Sequence, residues 1–448
     1  MTHPHDARAD RLLRNRLTRR DTLWVFSASV GASVLPGCAT PPASGEVAPA
    51  GLREEQERQV DTQLAPYQFS LDLGAVQEAE VNAYLGRVSQ SLQEQVRRHD
   101  MPYSVRALNA HYVNAYTCPG GAIGVTRGLL VELQDESELA ALLGQELGHV
   151  NARHVAQRQG QAMVAQVAMA SLTVAGQDAN WSPLLGLGSQ IGASALLANY
   201  SRDQEHQADA LGLEYLVGAG YPATGMTQLH ARLVSQHKAQ PGMLETMFAS
   251  HPMSNERLAT AREAAETRYA GSLKAPRQRE RYMDSTASLR RLRPAIEACK
   301  NGELAMGRQA LSEAQGQFVQ ALRLAPRDYA ANLRMAQCLQ AQGQPREALR
   351  YANAARSLYP QEAQAHKLGA SLHLALHNPG AAFNALEQFD RVLPGDPGVL
   401  FMKAYALDGM GQGRRAAEHY AQFLQVHHQG EAAQFSVNRL RAMGHAIQ

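Results

Sequence analysis

Tryptophan is nearly missing from this chain of 448 residues: there are two, and aromatic residues make up only 6%. That scarcity argues against a carbohydrate-stacking or single-strand-binding platform, which needs aromatic faces. Cysteine is scarce too, with four residues at positions 38, 118, 299 and 338. Beyond Cys38 three remain, and an odd number cannot make a complete disulfide framework. Cys299 and Cys338 read as small core thiols. No charge sign dominates: 43 Lys and Arg face 41 Asp and Glu, for a net of +2. A near-neutral body leaves no electrostatic footprint for nucleic acid. No run is apolar enough for long enough to span a bilayer. The rest is ordinary globular composition, 45% hydrophobic and 19% charged, and the length suggests roughly two to four domains.

The first 38 residues read as an address. A basic region ending in Arg19-Arg20 precedes a short apolar stretch from Thr22 to Gly37, the order of a signal peptide. Arg19-Arg20 before Asp21 resembles a twin-arginine export signal, and Leu35-Pro36-Gly37-Cys38 resembles a bacterial lipobox. These imply cleavage before Cys38, a lipid on its sulfur and residence in the periplasm. Ala39 follows, and not the Asp that favours inner-membrane retention, so the outer membrane is expected. Residues 39–52 are rich in Pro, Ala and Gly and read as a flexible tether.

Two bodies follow. Residues 53–270 form one expected domain, with helical patterns at 54–66 and 76–98 and an extended segment at 103–112. A Pro-Gly-Gly turn at 119–121 leads into a short strand, 122–126. Helices are expected near 136–158 and 203–218, with buried helices in 160–199. A linker, 271–294, separates this body from residues 295–448. There Pro326, Pro360 and Pro394 recur every 34 residues, as do Ala314, Ala348, Ala382 and Ala416; Gly343 and Gly411 each stand five before an alanine. This is the period of tetratricopeptide (TPR) repeats, each a helix–turn–helix. It predicts four helix pairs over about 295–430, a capping helix and a concave surface for partners.

The chemistry sits in the first body. Glu146 and His149 lie on the helical stretch Gln145-Glu146-Leu147-Gly148-His149. In the H-E-x-x-H pattern two His four residues apart share one helical face and one zinc, with the Glu as general base. Here Gln145 stands at the first His. Farther on, Glu205 and Asp209 are again four apart. A His-His-Glu zinc site takes its third ligand from a second helix, and a carboxylate can fix the tautomer of a ligand His through its outer nitrogen. His154 and His206 point elsewhere on their helices; His154 reads as a packing or hydrogen-bonding residue and His206 as a bystander. His427-His428 reads as solvated surface, and no base can be named for Cys118 as a nucleophile.

These segments resemble the M48 metallopeptidases. The resemblance rests on Asn114 to Gly121 with its Pro119-Gly120-Gly121 turn, on Gln145-Glu146-Leu147-Gly148-His149-Val150 with Arg153-His154, and on Ser201-Arg202, Glu205 and Ala208-Asp209. With the signal and the repeats, the chain looks like the periplasmic branch of β-barrel assembly-enhancing (BepA-like) proteases. The resemblance implies a zincin-like α+β peptidase domain followed by an α-solenoid of TPR pairs, mainly α with a small β element. It implies one zinc held by His149 and Glu205, Glu146 as base and Asp209 as the outer carboxylate orienting a ligand His. Gln145 occupies a ligand His position. His251, in Ser250-His251-Pro252, matches a histidine that can enter the open metal position, as switch or substitute ligand; Arg257 matches the Arg that follows it. Strand 122–126 would be the active-site edge to which an extended substrate adds. Two readings follow. One is a zinc endopeptidase acting on unfolded or misassembled envelope proteins, with the repeats engaging the β-barrel assembly machinery. The other, prompted by Gln145, is a catalytically impaired adaptor or chaperone in outer-membrane protein assembly.

Overall fold

A computed structural model describes residues 53–157, 200–239, 245–427 and 430–445. The signal, Cys38, the tether, all of 160–199 and His428 lie outside the described residues. The chain divides into two compact units, with the boundary between the helices of the first unit and the repeats falling after Lys300 in the sequence. Among the described residues no helix is long and apolar enough to cross a membrane.

The first unit opens with α1 (Glu54–Leu71) and α2 (Ala79–Gln93). Three short strands follow: β1 (Ser104–Leu108), β2 (Ala115–Thr117) and β3 (Ala122–Thr126). Their order is β1-β3-β2. β3 runs parallel to β1, with Ser104 opposite Ala122, and antiparallel to β2, with Ala115 opposite Val125. Strand 122–126 is therefore central, which corrects its expected place at an edge. Its apolar run fits a strand paired on both sides and covered on both faces, and all five residues are buried.

The Pro-Gly-Gly turn joins β2 to β3. Gly121 has φ +99°, a conformation glycine adopts at little cost. Asp61 of α1 accepts the amide of Gly120 at 2.8 Å, and a Cβ on Gly120 would lie 2.4 Å from that of Asp61. Helix α1 is thus keyed to the turn.

After the short α3 (Arg127–Leu130) comes α4 (Glu136–Asn151), capped by the Asp135 side chain on the amide of Glu138. This helix is buried from Glu136 to Val150. Against it pack α5 (Arg202–Gly218) and α6 (Thr224–Ala239); α7 (Glu245–Ser250) follows, and α8 (Asn255–Glu266) packs on α6 and α5. Four buried acids stand near the N-terminus of α4, where the helix dipole favours them. Glu136 accepts the hydroxyls of Tyr84 at 2.9 Å and Tyr221 at 2.6 Å and pairs with Arg281. Glu138 holds Arg232, Asp135 holds Arg277, and Glu132 holds Arg293. Three of these arginines come from 271–294, the stretch read as a linker. It is instead folded onto the first unit as α9 (Arg279–Ser285) and α10 (Ala287–Arg291). Tyr282 is fully buried there and donates to the Leu130 carbonyl. Buried carboxylates need such partners, so this arginine-rich segment is part of the first unit.

The second unit begins within α11 (Arg293–Gly307), which is followed by α12 (Leu311–Leu324). The next pairs are α13 (Tyr329–Ala341) with α14 (Pro345–Leu358), α15 (Ala363–Ala375) with α16 (Pro379–Val392), and α17 (Pro397–Gly409) with α18 (Gly413–Val426). A last helix, α19 (Gly430–Ala442), covers the end. The repeat alanines Ala314, Ala348, Ala382 and Ala416 are all 0% exposed, as small residues between closely packed helices must be. The turn inside each pair reuses one left-handed position: Gln309 (φ 62°), Gly343 (72°), His377 (56°) and Gly411 (74°).

These two recurring positions should respond oppositely to substitution. Ala348→Leu has no room and should cost about 1–3 kcal/mol by overpacking. His377→Gly should stabilise by up to about 1 kcal/mol. It removes a left-handed penalty of about 1–2 kcal/mol at the expense of some unfolded-chain entropy. Thermal unfolding of the two variants checks both signs.

Candidate metal centre

The site is assembled by one helix crossing. Gly144 and Gly148 lie on one face of α4, Ala208 and Gly212 on one face of α5. A Cβ on Gly144 would lie 2.9 Å from the Gly212 carbonyl oxygen, and one on Gly148 2.7 Å from that of Ala208. The backbones therefore touch, with Gly148 beside Ala208 and Gly144 beside Gly212. That antiparallel sense sets Gln145 and His149 of α4 against Glu205 of α5. The residue just after α7 supplies His251, and α8 supplies Arg257.

Glu205 is fully buried and sits at the centre. Its Oε2 accepts the Gln145 side-chain amide at 2.9 Å and faces Arg257 Nη1 at 2.5 Å. Its Oε1 lies 3.0 Å from His251 Nδ1 and 3.4 Å from His149 Nε2. On the other side of His251, Nε2 is 3.6 Å from Glu146 Oε1. Tyr200 stacks on the His149 ring at 3.7 Å. One ligand atom from each of His149, Glu205 and His251 lies within 4.8 Å of the other two.

The tautomer of His149 follows from its neighbours. Gln207 presents its carbonyl oxygen to His154 Nε2 at 3.0 Å, so that nitrogen donates. The Nδ1 of a neutral His154 is then an acceptor, and it lies 3.0 Å from His149 Nδ1. His149 donates there, which leaves its Nε2 lone pair facing Glu205. His154 reaches back because Arg153 adopts φ +60° at the end of α4. Arg153 is held there by the buried Glu57 of α1 at 2.6 Å.

Asp209 was expected to orient a ligand histidine, and the structure corrects this. Its two oxygens are taken by Arg257, both at 2.7 Å, with His230 Nε2 3.4 Å away. The fork geometry of a guanidinium and a carboxylate makes this a bidentate pair. Asp209 thus seats Arg257, and His154 orients His149.

Burial and neighbours pull the ionisable groups apart. Burial raises Glu146 to about 7, against the pull of nearby His251. Burial lowers His149 to about 4, keeping it neutral. Burial would also raise Glu205, but His251, His149 and Arg257 hold it well below the usual range. Asp209 is brought to about 2 in spite of burial, by His230 and Arg257. Burial would lower His251, yet the charges of Glu205 and Glu146 raise it.

The donor set fits a divalent cation. The Nε2 atoms of His149 and His251 and Glu146 Oε2 are buried without a hydrogen-bond partner. A neutral imidazole lone pair facing a carboxylate oxygen is unfavourable unless something positive lies between them. Two imidazoles and a carboxylate are zinc donors. Gln145, Glu146, His149, Glu205, His251 and Arg257 thus share one buried cluster. His206 lies outside it, 3.9 Å from Glu256. Cys118 is buried, and burial pushes its thiol well above the usual range. Sequence reasoning gave no role to Tyr200, Gln207 or His230. No periodicity marks them, because each meets the site only through the fold.

Residues 79–265 match the model for Peptidase family M48, and residues 305–372 match the tetratricopeptide repeat. The chain carries an M48 peptidase domain joined to TPR repeats. Among curated relatives it is similar to the β-barrel assembly-enhancing protease of Yersinia pestis, 29% identical over 173 residues. That match covers 37% of this chain and 35% of the relative. The protein of the same name from Escherichia coli (strain K12) is 28% identical over 193 residues, covering 41% and 38%. Metalloprotease YcaL of the same strain is 29% identical over 181 residues, covering 39% and 65%. The chain thus spans less than two thirds of each of these relatives.

The helix crossing yields a test. An alanine in place of a helical glycine gains about 1 kcal/mol of propensity. At Gly148 the new methyl group meets backbone, and overpacking costs about 1–3 kcal/mol. Gly148→Ala should therefore lower the unfolding midpoint. Gly86 of α2 has nothing within 4 Å of its would-be Cβ, so Gly86→Ala should raise it. Calorimetry on both variants compares the same substitution with and without the helix contact.

Proposed function

We propose that this chain is a zinc-dependent endopeptidase of the bacterial envelope that cleaves unfolded or misassembled outer-membrane proteins. The observation that carries this reading is Glu146, a buried carboxylate raised to about 7, beside the convergent His149, Glu205 and His251. Those three residues would hold the metal. When bound, zinc supplies Lewis-acid polarisation of the scissile carbonyl. Glu146 takes the proton from the attacking water and passes it to the leaving amine. Its affinity for protons suits that shuttle, since a base works best when its pKa lies near the working pH. Arg257, seated by Asp209, keeps Glu205 ionised in a buried site. His154 keeps the His149 lone pair turned towards the cluster.

The TPR repeats would bring substrate or the β-barrel assembly machinery to the peptidase. The names of the curated relatives support this placement, as does the signal-like N-terminus. That segment further suggests a periplasmic protein held at the outer membrane by a lipid on Cys38. A mature protein without acyl chains by mass spectrometry would sink the anchor.

A specific observation favours the adaptor as a second reading. Gln145 stands at a ligand position and spends its amide on Glu205. The two readings part on Glu146. For the peptidase, Glu146→Gln should reduce hydrolysis of an unfolded β-barrel protein by at least about 100-fold, the scale of general-base catalysis, and zinc content should stay near one per chain. His251→Ala should remove the zinc. Wild-type protein that holds zinc yet cleaves no better than Glu146→Gln would make the adaptor the correct reading.

A further inference from the structure

We propose that Gln145 is a positioning residue of this metal centre. Its side-chain amide holds Glu205 in place beside Arg257, which leaves Oε1 as the ligand atom, and His251, not Gln145, completes the ligand set. The inference rests on the zinc-site reading above and concerns the one position where this chain departs from the H-E-x-x-H pattern.

The argument begins with lone pairs. An ionised carboxylate has about two acceptor sites on each oxygen. On Glu205, Oε2 accepts the Gln145 amide at 2.9 Å and is ion-paired with Arg257 Nη1 at 2.5 Å. A metal cation at that oxygen would sit against the guanidinium charge, so Oε1 is the favoured ligand atom. Oε1 faces the two histidines, at 3.0 and 3.4 Å. The carboxylate is therefore polarised by its surroundings, with one oxygen held by Gln145 and Arg257 and the other directed at the cluster.

The orientation of Gln145 follows from the same contact. Turned over, its amide would set a carbonyl oxygen against a carboxylate oxygen at hydrogen-bond distance with no proton between them. Gln145 is 3% exposed, so water offers no easy alternative partner, and a buried amide left unpaired is costly. Its nitrogen is thus committed to Glu205 and has no lone pair to give a metal, and the amide oxygen is a poor zinc donor beside imidazole and carboxylate. A histidine at position 145 would act differently, because an imidazole can offer a lone pair. Gln145 instead adds a neutral donor that holds Glu205 without changing the charge of the site. The vacated ligand role falls to His251, which lies within 4.8 Å of both His149 and Glu205.

The test uses the full chain and the metal alone. Zinc affinity is measured by competition with a chromophoric chelator, and coordination by the visible spectrum of the cobalt-substituted protein. Gln145→Met keeps length and removes the donor. It should weaken zinc by about 10–100-fold, the scale for losing a partner of a metal ligand. Arg257 still pairs Oε2, so the ligand set is unchanged and the cobalt bands keep their wild-type positions and intensities. His251→Ala should change those bands or abolish them. Gln145→Asn is a smaller polar variant that cannot reach Glu205; it serves if the Met variant does not fold, and should weaken zinc likewise. Altered cobalt bands in Gln145→Met would make Gln145 a ligand and overturn the proposal. Wild-type zinc affinity in that variant would overturn it too, and would leave the zinc-site reading intact. A wild-type protein that binds no zinc would overturn both.

Discussion

Everything at the metal centre depends on two backbones being allowed to touch. Gly144 and Gly148 on α4 meet Gly212 and Ala208 on α5 with no room for another carbon. Interhelical distance is set by the side chains at the crossing. With ordinary residues there, Glu205 would retreat from both Gln145 and His149. Small residues four apart, in register on two antiparallel helices, bring functional side chains from both within hydrogen-bond reach.

That closeness creates an electrostatic problem, since three carboxylates become buried in one volume. The solutions differ, and the differences assign the roles. Asp209 has the guanidinium of Arg257 on both oxygens and stays ionised. Glu205 has Arg257 and Gln145 on one oxygen and histidines at the other. Glu146 faces only a histidine, at 3.6 Å, and its proton affinity rises to about 7. Equal burial with unequal partners produces a salt-bridged carboxylate, one shared between a guanidinium and histidines, and one whose proton affinity lies near neutrality. The same logic runs at the other end of α4, where arginines from 277–293 neutralise acids that would otherwise repel.

The repeats follow a simpler rule. Alanine at the helix contact and a left-handed residue in the turn recur every 34 positions, and nearest neighbours suffice to build the stack. Glycine fills the turn at Gly343 and Gly411, while Gln309 and His377 adopt the same conformation without glycine's freedom. Register survives because the helices on either side fix the turn.

Much of the architecture was legible in the sequence. The 34-residue spacing implied four helix pairs and a last helix, and the Pro-Gly-Gly turn implied a strand at 122–126. These are local signals, carried by periodicity and turn chemistry within one or two elements. The motifs likewise pointed to His149, Glu205, His251 and Arg257 as a set. What the sequence could not decide is who touches whom. Asp209 could serve His149 or Arg257, and only the approach of α8 settled it for Arg257. His154 read as a packing or hydrogen-bonding residue, and only the left-handed Arg153 decides that its partner is His149. The strand at 122–126 became central because β1 and β2 flank it, and 271–294 became part of the body because buried acids on α4 required its arginines. Gln145 read as a loss at a ligand position. Beside Glu205 it is a donor, because a buried amide takes its meaning from the atom it faces, and that atom lies 60 residues away.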